Sequence, residues 1–189
     1  MSKRRKDTRD IALVIDLEAT CWEGNVPAGM VSEIIEIGIS AIDYVTKEIR
    51  LRDTIIVKPE HSTISPFCTK LTTITQEFVD EHGIPFAEAC KILEEKFKSK
   101  EKFWISFGNY DKHQIERDCK LKNVNNPFSK NHFNIKTIIS FVYGLKNDFD
   151  VKGALDFFEL EFEGIPHRGE SDAYNIAKLV KKVFPVIQR

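Results

Sequence analysis

The sequence predicts an α/β fold built on a mixed sheet, and three observations support this prediction. An uninterrupted apolar run at residues 11–15, rich in β-branched side chains, is typical of a strand buried on both faces. Two more strand-like segments follow after short connections, as in an antiparallel meander. The pattern then changes to helical periodicity, interrupted by one further apolar strand. The order of the segments alone determines no more than this class.

Alternation of side chains and turn residues predict the remaining strands. Residues 35–41 alternate isoleucine or alanine with glutamate, glycine or serine, which predicts the second strand. The segment 53–58 (DTIIVK) is stopped by Pro59 and predicts the third. The segment 103–108 (FWISFG) is apolar on both faces and predicts the fourth, with Trp104 as a core residue.

Helical spacing of apolar residues predicts the other elements. Asn109 and Asn134 are expected to be N-caps, since a short polar side chain can accept a hydrogen bond from the first turn of a helix. The predicted helices are residues 72–81, residues 85–97, a helix after Asn109, a helix after Asn134, residues 151–158, and a last helix that starts near residues 170–171.

Composition narrows the class of protein. The chain has 189 residues, of which 42% are hydrophobic, enough for the core of one ordinary domain. It contains no run of about 18 apolar residues, so we expect no transmembrane span and no membrane partner. The 28 basic and 29 acidic residues nearly balance. This balance argues against a purely electrostatic nucleic-acid binder, but not against an enzyme that acts on nucleic acid.

Residues 1–10 contain five lysines or arginines and predict a flexible basic arm, which leaves residues 11–189 as a single domain. The arm is either solvated or in contact with phosphates, and the sequence leaves both open. The four cysteines form no C-x-x-C pair and no zinc-ligand pattern. We interpret them as reduced thiols, which predicts a cytoplasmic protein.

Two acids follow the first strand at its carboxyl end, where α/β proteins commonly bind ligands. Asp16 and Glu18 are two residues apart and therefore point to the same side of the strand. Two neighbouring carboxylates repel each other unless a cation lies between them, so the pair indicates a metal site. An interpretation in which both acids face water is equally compatible with this feature. Glu36, on the second strand, is either a partner of this site or part of a solvated strand face.

Two further acids lie at helix starts. Asp111 is in the first turn after the fourth strand, and Asp172 is in the first turn of the last helix, five residues after His167. The helix dipole alone favours an acid at such positions. Taken together, the four acids surround a possible central cleft, and oxygen ligands of this kind suit Mg²⁺ or Mn²⁺. Two such ions can activate water against a phosphodiester, and His167 is the candidate general base.

The residues also carry a resemblance to a known family. Its motifs are the four acids with His167 and the stretches DLEATCW at 16–22, FCTKLTTITQ at 67–76, FGNYDK at 107–112 and LEFEGIPHRGESDAYNIA at 160–177. In these motifs the chain resembles the DEDDh family of 3′→5′ exonucleases, and most closely its Eri-type branch, which trims RNA 3′ ends. The resemblance implies a ribonuclease H-like fold, a mixed five-stranded sheet flanked by helices.

The resemblance further implies a role for each matching residue. Asp16, Glu18 and Asp172 would hold a first metal ion, while Asp16 would bridge to a second ion that Asp111 supports through water. His167 would be the catalytic base, with Glu18 also in the catalytic group. The substrate-binding residues would be the backbone of Ala19 and Thr20 near the terminal sugar, Leu71 and Thr72 near the last nucleotide, Phe107 where the branch often has tryptophan, and Trp22, which either stacks on a base or packs in the core.

We therefore predict a metal-dependent 3′→5′ exonuclease with two Mg²⁺ or Mn²⁺ ions. Its partner would be nucleic acid, preferably the 3′ end of single-stranded RNA or of a short overhang, and its products nucleoside 5′-monophosphates. The alternatives are a DNA-trimming or proofreading exonuclease of the same fold and a non-catalytic nucleic-acid-binding module. The complete acid set with His167 argues against the binding module, because binding does not need clustered like charges. The sequence identifies no protein partner.

Overall fold

A five-stranded mixed sheet forms the centre of the structure, which is a computed structural model that describes residues 10–145 and 149–187. The strand order is β3-β2-β1-β4-β5. The strands are β1 (Ile11–Ala19), β2 (Ile34–Asp43), β3 (Glu48–Ile56), β4 (Trp104–Ser106) and β5 (His132–Asn134). The first three strands are antiparallel neighbours, whereas β4 runs parallel to β1 and β5 parallel to β4. The predicted meander and the five-stranded mixed sheet are confirmed.

Helices cover both faces of this sheet. They are α1 (Pro66–Thr72), α2 (Gln76–His82), α3 (Phe86–Glu95), α4 (Tyr110–Leu121), α5 (Ile135–Tyr143), α6 (Val151–Phe157) and α7 (Gly169–Ile187). Successive residues of β1 point to opposite faces, so Leu13 packs in the core with α3 and α4 while Val14 packs in the core with α5, α6 and α7. β1 is therefore buried on both sides, as its apolar run predicts.

The helix predicted at residues 72–81 starts too early, because α1 ends at Thr72 and α2 begins only at Gln76. Thr73 ends α1 with a left-handed φ of 64°. Ser65 caps α1 by accepting a hydrogen bond from the N–H of Cys68, and Thr75 caps α2 by accepting one from the N–H of Phe78. The apolar spacing runs through this break, so the caps, not the periodicity, mark the true ends of the helices.

The third strand begins earlier than predicted, at Glu48, and ends at Ile56. It is an edge strand, and its first half alternates exposed charged residues with half-buried Ile49 and Leu51. The exposed charges concealed the strand in the sequence. The other predicted helices begin within one residue of the observed α3, α6 and α7.

The two predicted asparagine caps differ in the structure. Asn134 accepts a hydrogen bond from the N–H of Thr137 and caps α5 as predicted. Asn109 holds the capping position of α4, but its side chain makes no capping hydrogen bond. Trp104 is 2% exposed, which confirms it as a core residue.

Three further predictions concern the whole chain. The basic arm at residues 1–10 lies outside the described residues, except for Asp10. All four cysteines are free thiols, of which Cys21 is half-buried and the other three are buried. Within the described ranges, every helix is too short or too polar to traverse a bilayer.

Candidate active site

The acids of β1 line a cleft of about 540 Å³. Leu17 points into the core and is 4% exposed, so Asp16 and Glu18 on either side of it both face the cleft. The cleft is lined by Asp16, Leu17, Glu18, Phe107, Tyr110, Asp111, Asp150, Val151, Lys152, Phe162, Gly164, Pro166, His167 and Asp172. All four predicted acids and His167 therefore meet in one place.

A close contact between two glycines brings Asp172 to this site. A Cβ atom on Gly38 would lie 1.8 Å from the carbonyl carbon of Gly169, and one on Gly169 would lie 2.9 Å from the backbone nitrogen of Gly38. A side chain is excluded at both positions. Because Gly38 is the ladder partner of Asp16, this contact sets the first turn of α7 beside the acids of β1.

Three of the acids form a compact group. Ligand oxygens of Asp16, Glu18 and Asp172 all lie within 4.8 Å of one another, and the three residues are half-buried. Asp111 is 4% exposed and lines the same cleft, where its Oδ1 accepts a hydrogen bond of 3.0 Å from the N–H of Leu17. This hydrogen bond connects the start of α4 to the end of β1 and orients the Asp111 carboxylate.

His167 enters the cleft from the loop before α7. Its φ of 59° lies in the left-handed region, which is unusual for a residue with a side chain. The next residue stabilises this turn, since the N–H of Arg168 donates to Asp172 Oδ2 at 3.2 Å. His167, the candidate base, therefore directly precedes Arg168, whose N–H holds the candidate metal ligand Asp172.

The electrostatics of the acids are unfavourable in the protein alone. Burial, followed by repulsion from Asp172 and Glu36, raises the pKa of Glu18 to about 8. Burial also raises the pKa of Asp16 well above its usual range, with further repulsion from Asp111 and Asp172. The pKa of Asp111 is about 7 and that of Asp172 about 6, again mainly because of burial. A cluster of hard oxygen donors that resists ionisation is what a divalent cation would stabilise, so the residues present fit a metal site.

The predicted substrate-binding residues are more dispersed than the acids. Phe107 lines the cleft, but Ala19, Thr20, Trp22, Leu71 and Thr72 are not among its lining residues in the described chain. The Thr20 side chain is 1% exposed, donates to the carbonyl of Val31 and accepts from the N–H of Glu33. Thr72 is fully buried and donates to the carbonyl of Cys68. Both threonine side chains are thus used inside the protein, whereas Trp22 is half-buried in a loop and Leu71 is exposed.

Some residues at the site have roles that sequence reasoning missed or left open. Asp150 and Lys152, at the start of α6, line the cleft. Asp150 caps α6, since it accepts a hydrogen bond of 2.7 Å from the N–H of Gly153. The sequence pattern at this position indicates a helix cap and gives no sign that the residue also lines the cleft. Glu36 is 0% exposed and pairs with Arg168, so its interpretation as part of a solvated strand face is wrong.

A ribonuclease H-like sheet with this acidic cleft at the end of its central strand defines a nuclease fold of the DEDDh class, and comparison with known proteins agrees. A family model described as exonuclease matches residues 13–180, and the chain belongs to this family. Among curated proteins, 3'-5' exoribonuclease 1 of Mus musculus is 33% identical over 185 residues. The 3'-5' exonuclease eri1 of Schizosaccharomyces pombe is 28% identical over 211 residues.

These relatives are longer than this chain. The alignment covers 93% of the chain and 53% of the mouse protein, and 96% of the chain and 70% of the yeast protein. The chain thus spans about half the length of the mouse relative.

Two solved structures are also similar. The nuclease domain of 3'hExo, a DEDDh family member bound to rAMP, has 30% sequence identity and a TM-score of 0.81, covering 92% of this chain and 91% of that one. A 3'-exonuclease that recognises the 3' end of the histone mRNA stem-loop has 29% identity and a TM-score of 0.83, covering 94% of this chain and 82% of that one.

Proposed function

We propose that this protein is a metal-dependent 3′→5′ exonuclease that trims RNA 3′ ends, single-stranded or in short overhangs, and releases nucleoside 5′-monophosphates. One observation carries the proposal: the carboxylates of Asp16, Glu18 and Asp172 converge within 4.8 Å in the cleft that His167 also lines. The similar proteins support RNA as the substrate, since the mouse relative is an exoribonuclease, one solved structure is bound to rAMP and the other recognises an mRNA stem-loop.

The acids would hold Mg²⁺ or Mn²⁺. Asp16, Glu18 and Asp172 would bind one ion, and Asp16 would also hold the second, which Asp111 would support through water. The bound ions would supply positive charge that acidifies a water molecule and stabilises the leaving oxygen of the phosphodiester. The N–H groups of Leu17 and Arg168 hold Asp111 and Asp172 in fixed orientations for this task.

The other residues of the cleft would handle the proton and the substrate. His167 would accept the proton of the attacking water as a general base. Phe107 offers an aromatic face inside the cleft, and the partly exposed Trp22 and Leu71 would contact the last nucleotides from outside it. For Ala19 and Thr20, the backbone is the group that would approach the terminal sugar. The free thiols are consistent with the proposed cytoplasmic location.

The proposal is tested with labelled RNA and DNA of equal length, each with a free 3′-hydroxyl, a 3′-phosphate or a blocked 5′ end. We expect stepwise shortening of RNA from a free 3′ end in Mg²⁺ or Mn²⁺, inhibition by the 3′-phosphate, and no effect of the 5′ block. EDTA should stop the reaction. Faster shortening of DNA would favour the DNA-trimming alternative. Cleavage of a circular single strand, or binding without cleavage in any metal, would contradict the proposal.

A further inference from the structure

A fully buried glutamate lies beside the acidic cluster but outside the proposed metal ligands. Glu36 on β2 is the ladder partner of Glu18 on β1, and it is 0% exposed. Two carboxylates in such a pair destabilise each other unless one of them is neutralised. Glu36 is neutralised by Arg168, whose guanidinium also offsets part of the negative charge around Glu18.

Among the described residues, Arg168, Gly169 and Thr54 donate hydrogen bonds to Glu36. Arg168 donates from Nε at 3.1 Å to one carboxylate oxygen and from Nη2 at 3.0 Å to the other. The N–H of Gly169 adds a hydrogen bond of 2.8 Å, and the hydroxyl of Thr54 adds one of 3.0 Å. The guanidinium carbon also lies 5.9 Å from the centre of the Phe78 ring. A bidentate ion pair of this kind fixes the plane of the guanidinium group as well as its position.

This pair is joined directly to the turn that carries His167. Arg168 follows His167 in the chain, and its own N–H donates to Asp172 Oδ2. Its side chain and the next N–H are both bound to Glu36. The residue with the left-handed φ of 59° is thus followed by two residues that β2 holds in place. Such an unfavourable backbone conformation persists only where the surroundings enforce it.

We propose that Glu36 and Arg168 are positioning residues that hold the imidazole of His167 in the cleft. The proposal rests on the proposed function, since it assigns a role toward the general base, and it adds two residues to that machinery. Neither residue touches the substrate in this scheme. A misplacement of a catalytic group by about 1 Å can cost about 100-fold in rate, so we expect losses of about 10- to 100-fold in kcat when the pair is broken.

The experiment compares Glu36→Gln and Arg168→Met with a matched control, Arg50→Met. Arg50 pairs with Asp43 at 2.7 Å, and Asp43 lies on β2 like Glu36 but at the opposite end of the β1–β2 ladder from Glu18. We expect the two test variants to lower kcat on a short RNA with little change in KM, and the control to leave both unchanged. Arg168→Lys keeps the charge but not the bidentate geometry, so its kcat should lie between those of the wild type and Arg168→Met.

A double mutant separates positioning from general stability. In the His167→Ala background there is no imidazole to position, so adding Arg168→Met should cost almost nothing further. If the two losses multiply instead, or if the loss appears only in KM, the proposal is overturned. Thermal unfolding of each variant shows that it is folded. Should Glu36→Gln not fold, the partly exposed Arg168 still carries the test.

A spectroscopic measurement decides the proposal without relying on turnover. The imidazole signals of His167, assigned by their loss in His167→Ala, should be single and sharp in the ¹⁵N-labelled wild type. They should broaden or shift in Arg168→Met and Glu36→Gln, but not in Arg50→Met. Unchanged signals in both test variants would overturn the proposal. An inactive wild type would defeat the proposed function instead, and the imidazole signals would still decide this inference.

Discussion

The acids of the cleft and Glu33, just before β2, show two ways of placing carboxylates away from water. Glu33 is 0% exposed. Burial would raise its pKa, but hydrogen bonds from Lys122 and from the N–H groups of Glu60 and His61 outweigh burial and lower it. In the cleft no cation of the protein outweighs burial, and the pKa values of Glu18 and Asp172 are raised.

Burial opposes ionisation in both places, and the difference teaches that the partners of each carboxylate decide whether this effect is outweighed. Glu33 has a lysine whose side chain is 3% exposed, and so it is already neutralised when the protein folds. The cleft acids have one another, with Arg168 directed to Glu36 beside them. One cluster is complete in the protein alone, and the other needs a cation from outside. Four predictions test this contrast, from the largest expected effect to the smallest.

Replacement of a cleft acid should remove activity while sparing stability. Asp16→Asn keeps the shape of the side chain but removes a charge that both metal ions would use, so we expect a loss of roughly 10³-fold or more in kcat. The metal-free melting temperature should stay the same or rise, because one of several repelling charges is gone. Steady-state kinetics and thermal unfolding in EDTA check both parts. Turnover close to that of the wild type would show that the metal-site assignment is wrong.

Removal of the His167 imidazole should distinguish the contribution of the general base from that of the metal-binding acids. His167→Ala should lower turnover by about 10²–10⁴-fold, the usual contribution of a general base, while metal and RNA binding persist. Calorimetric titration with Mn²⁺ and RNA binding in Ca²⁺ provide the two binding measurements. Activity within a few-fold of wild type at saturating Mg²⁺ would refute the general-base role and leave the carboxylate site intact.

Breaking the buried pair of Lys122 and Glu33 should lower the stability of the protein and spare its activity, the opposite of the effect expected for Asp16→Asn. Lys122→Met leaves the Glu33 carboxylate buried without its cation, and we expect a loss of about 3 kcal/mol in the free energy of unfolding. This is the lower end of the usual range because two backbone N–H groups still donate to Glu33. Turnover of the folded protein should not change. The matched control is Lys100→Met, which breaks an exposed pair with Glu94 and should cost less than about 1 kcal/mol.

Urea unfolding measures these losses. Equal losses in the two lysine variants would contradict the distinction between a buried and an exposed pair. A loss of activity in Lys122→Met that exceeds its loss of folded protein would contradict the separation of the two clusters.

The pH dependence of stability should be the smallest of the four effects. The folded-state pKa values of about 6 for Asp172, 7 for Asp111 and 8 for Glu18 lie above those of an unfolded chain. Groups with raised values favour the folded state at low pH and lose that contribution as the pH rises through the folded values. The metal-free melting temperature should therefore fall by a few degrees between about pH 5.5 and about pH 8.5.

Excess Mg²⁺ should reduce this fall, because it stabilises the ionised acids, and Asp16→Asn should also reduce it. Glu33 acts with the opposite sign, since its lowered pKa contributes stability that is lost only as the solution becomes acidic. Melting curves in EDTA and in Mg²⁺ across this range make the comparison. A melting temperature in EDTA that is constant or rises with pH would contradict the assigned protonation of the cleft.

Local signals in the sequence predicted much of the site. The apolar run of β1 and the spacing of Asp16 and Glu18 are sufficient to place both acids on one side of a central strand. Asp111 and Asp172 follow from their positions at helix starts, and the family resemblance connects them with His167. The predicted boundaries of two elements were wrong, because the local sequence pattern did not mark them. Exposed charges hid the start of β3, and the break at Thr73 was missed between two apolar segments.

By itself, the sequence determined the class of the fold and the identity of the acids, because strand alternation and motif spacing depend on residues a few positions apart. Only the tertiary structure decided which carboxylates are neutralised. Glu33 and Glu36 lie three residues apart in one short segment, yet Lys122 and Arg168, their partners, are 89 and 132 positions away. Such pairs arise when α4 and α7 pack beside the sheet, and the hydrophobic pattern that drives this packing does not specify which charged side chains will meet.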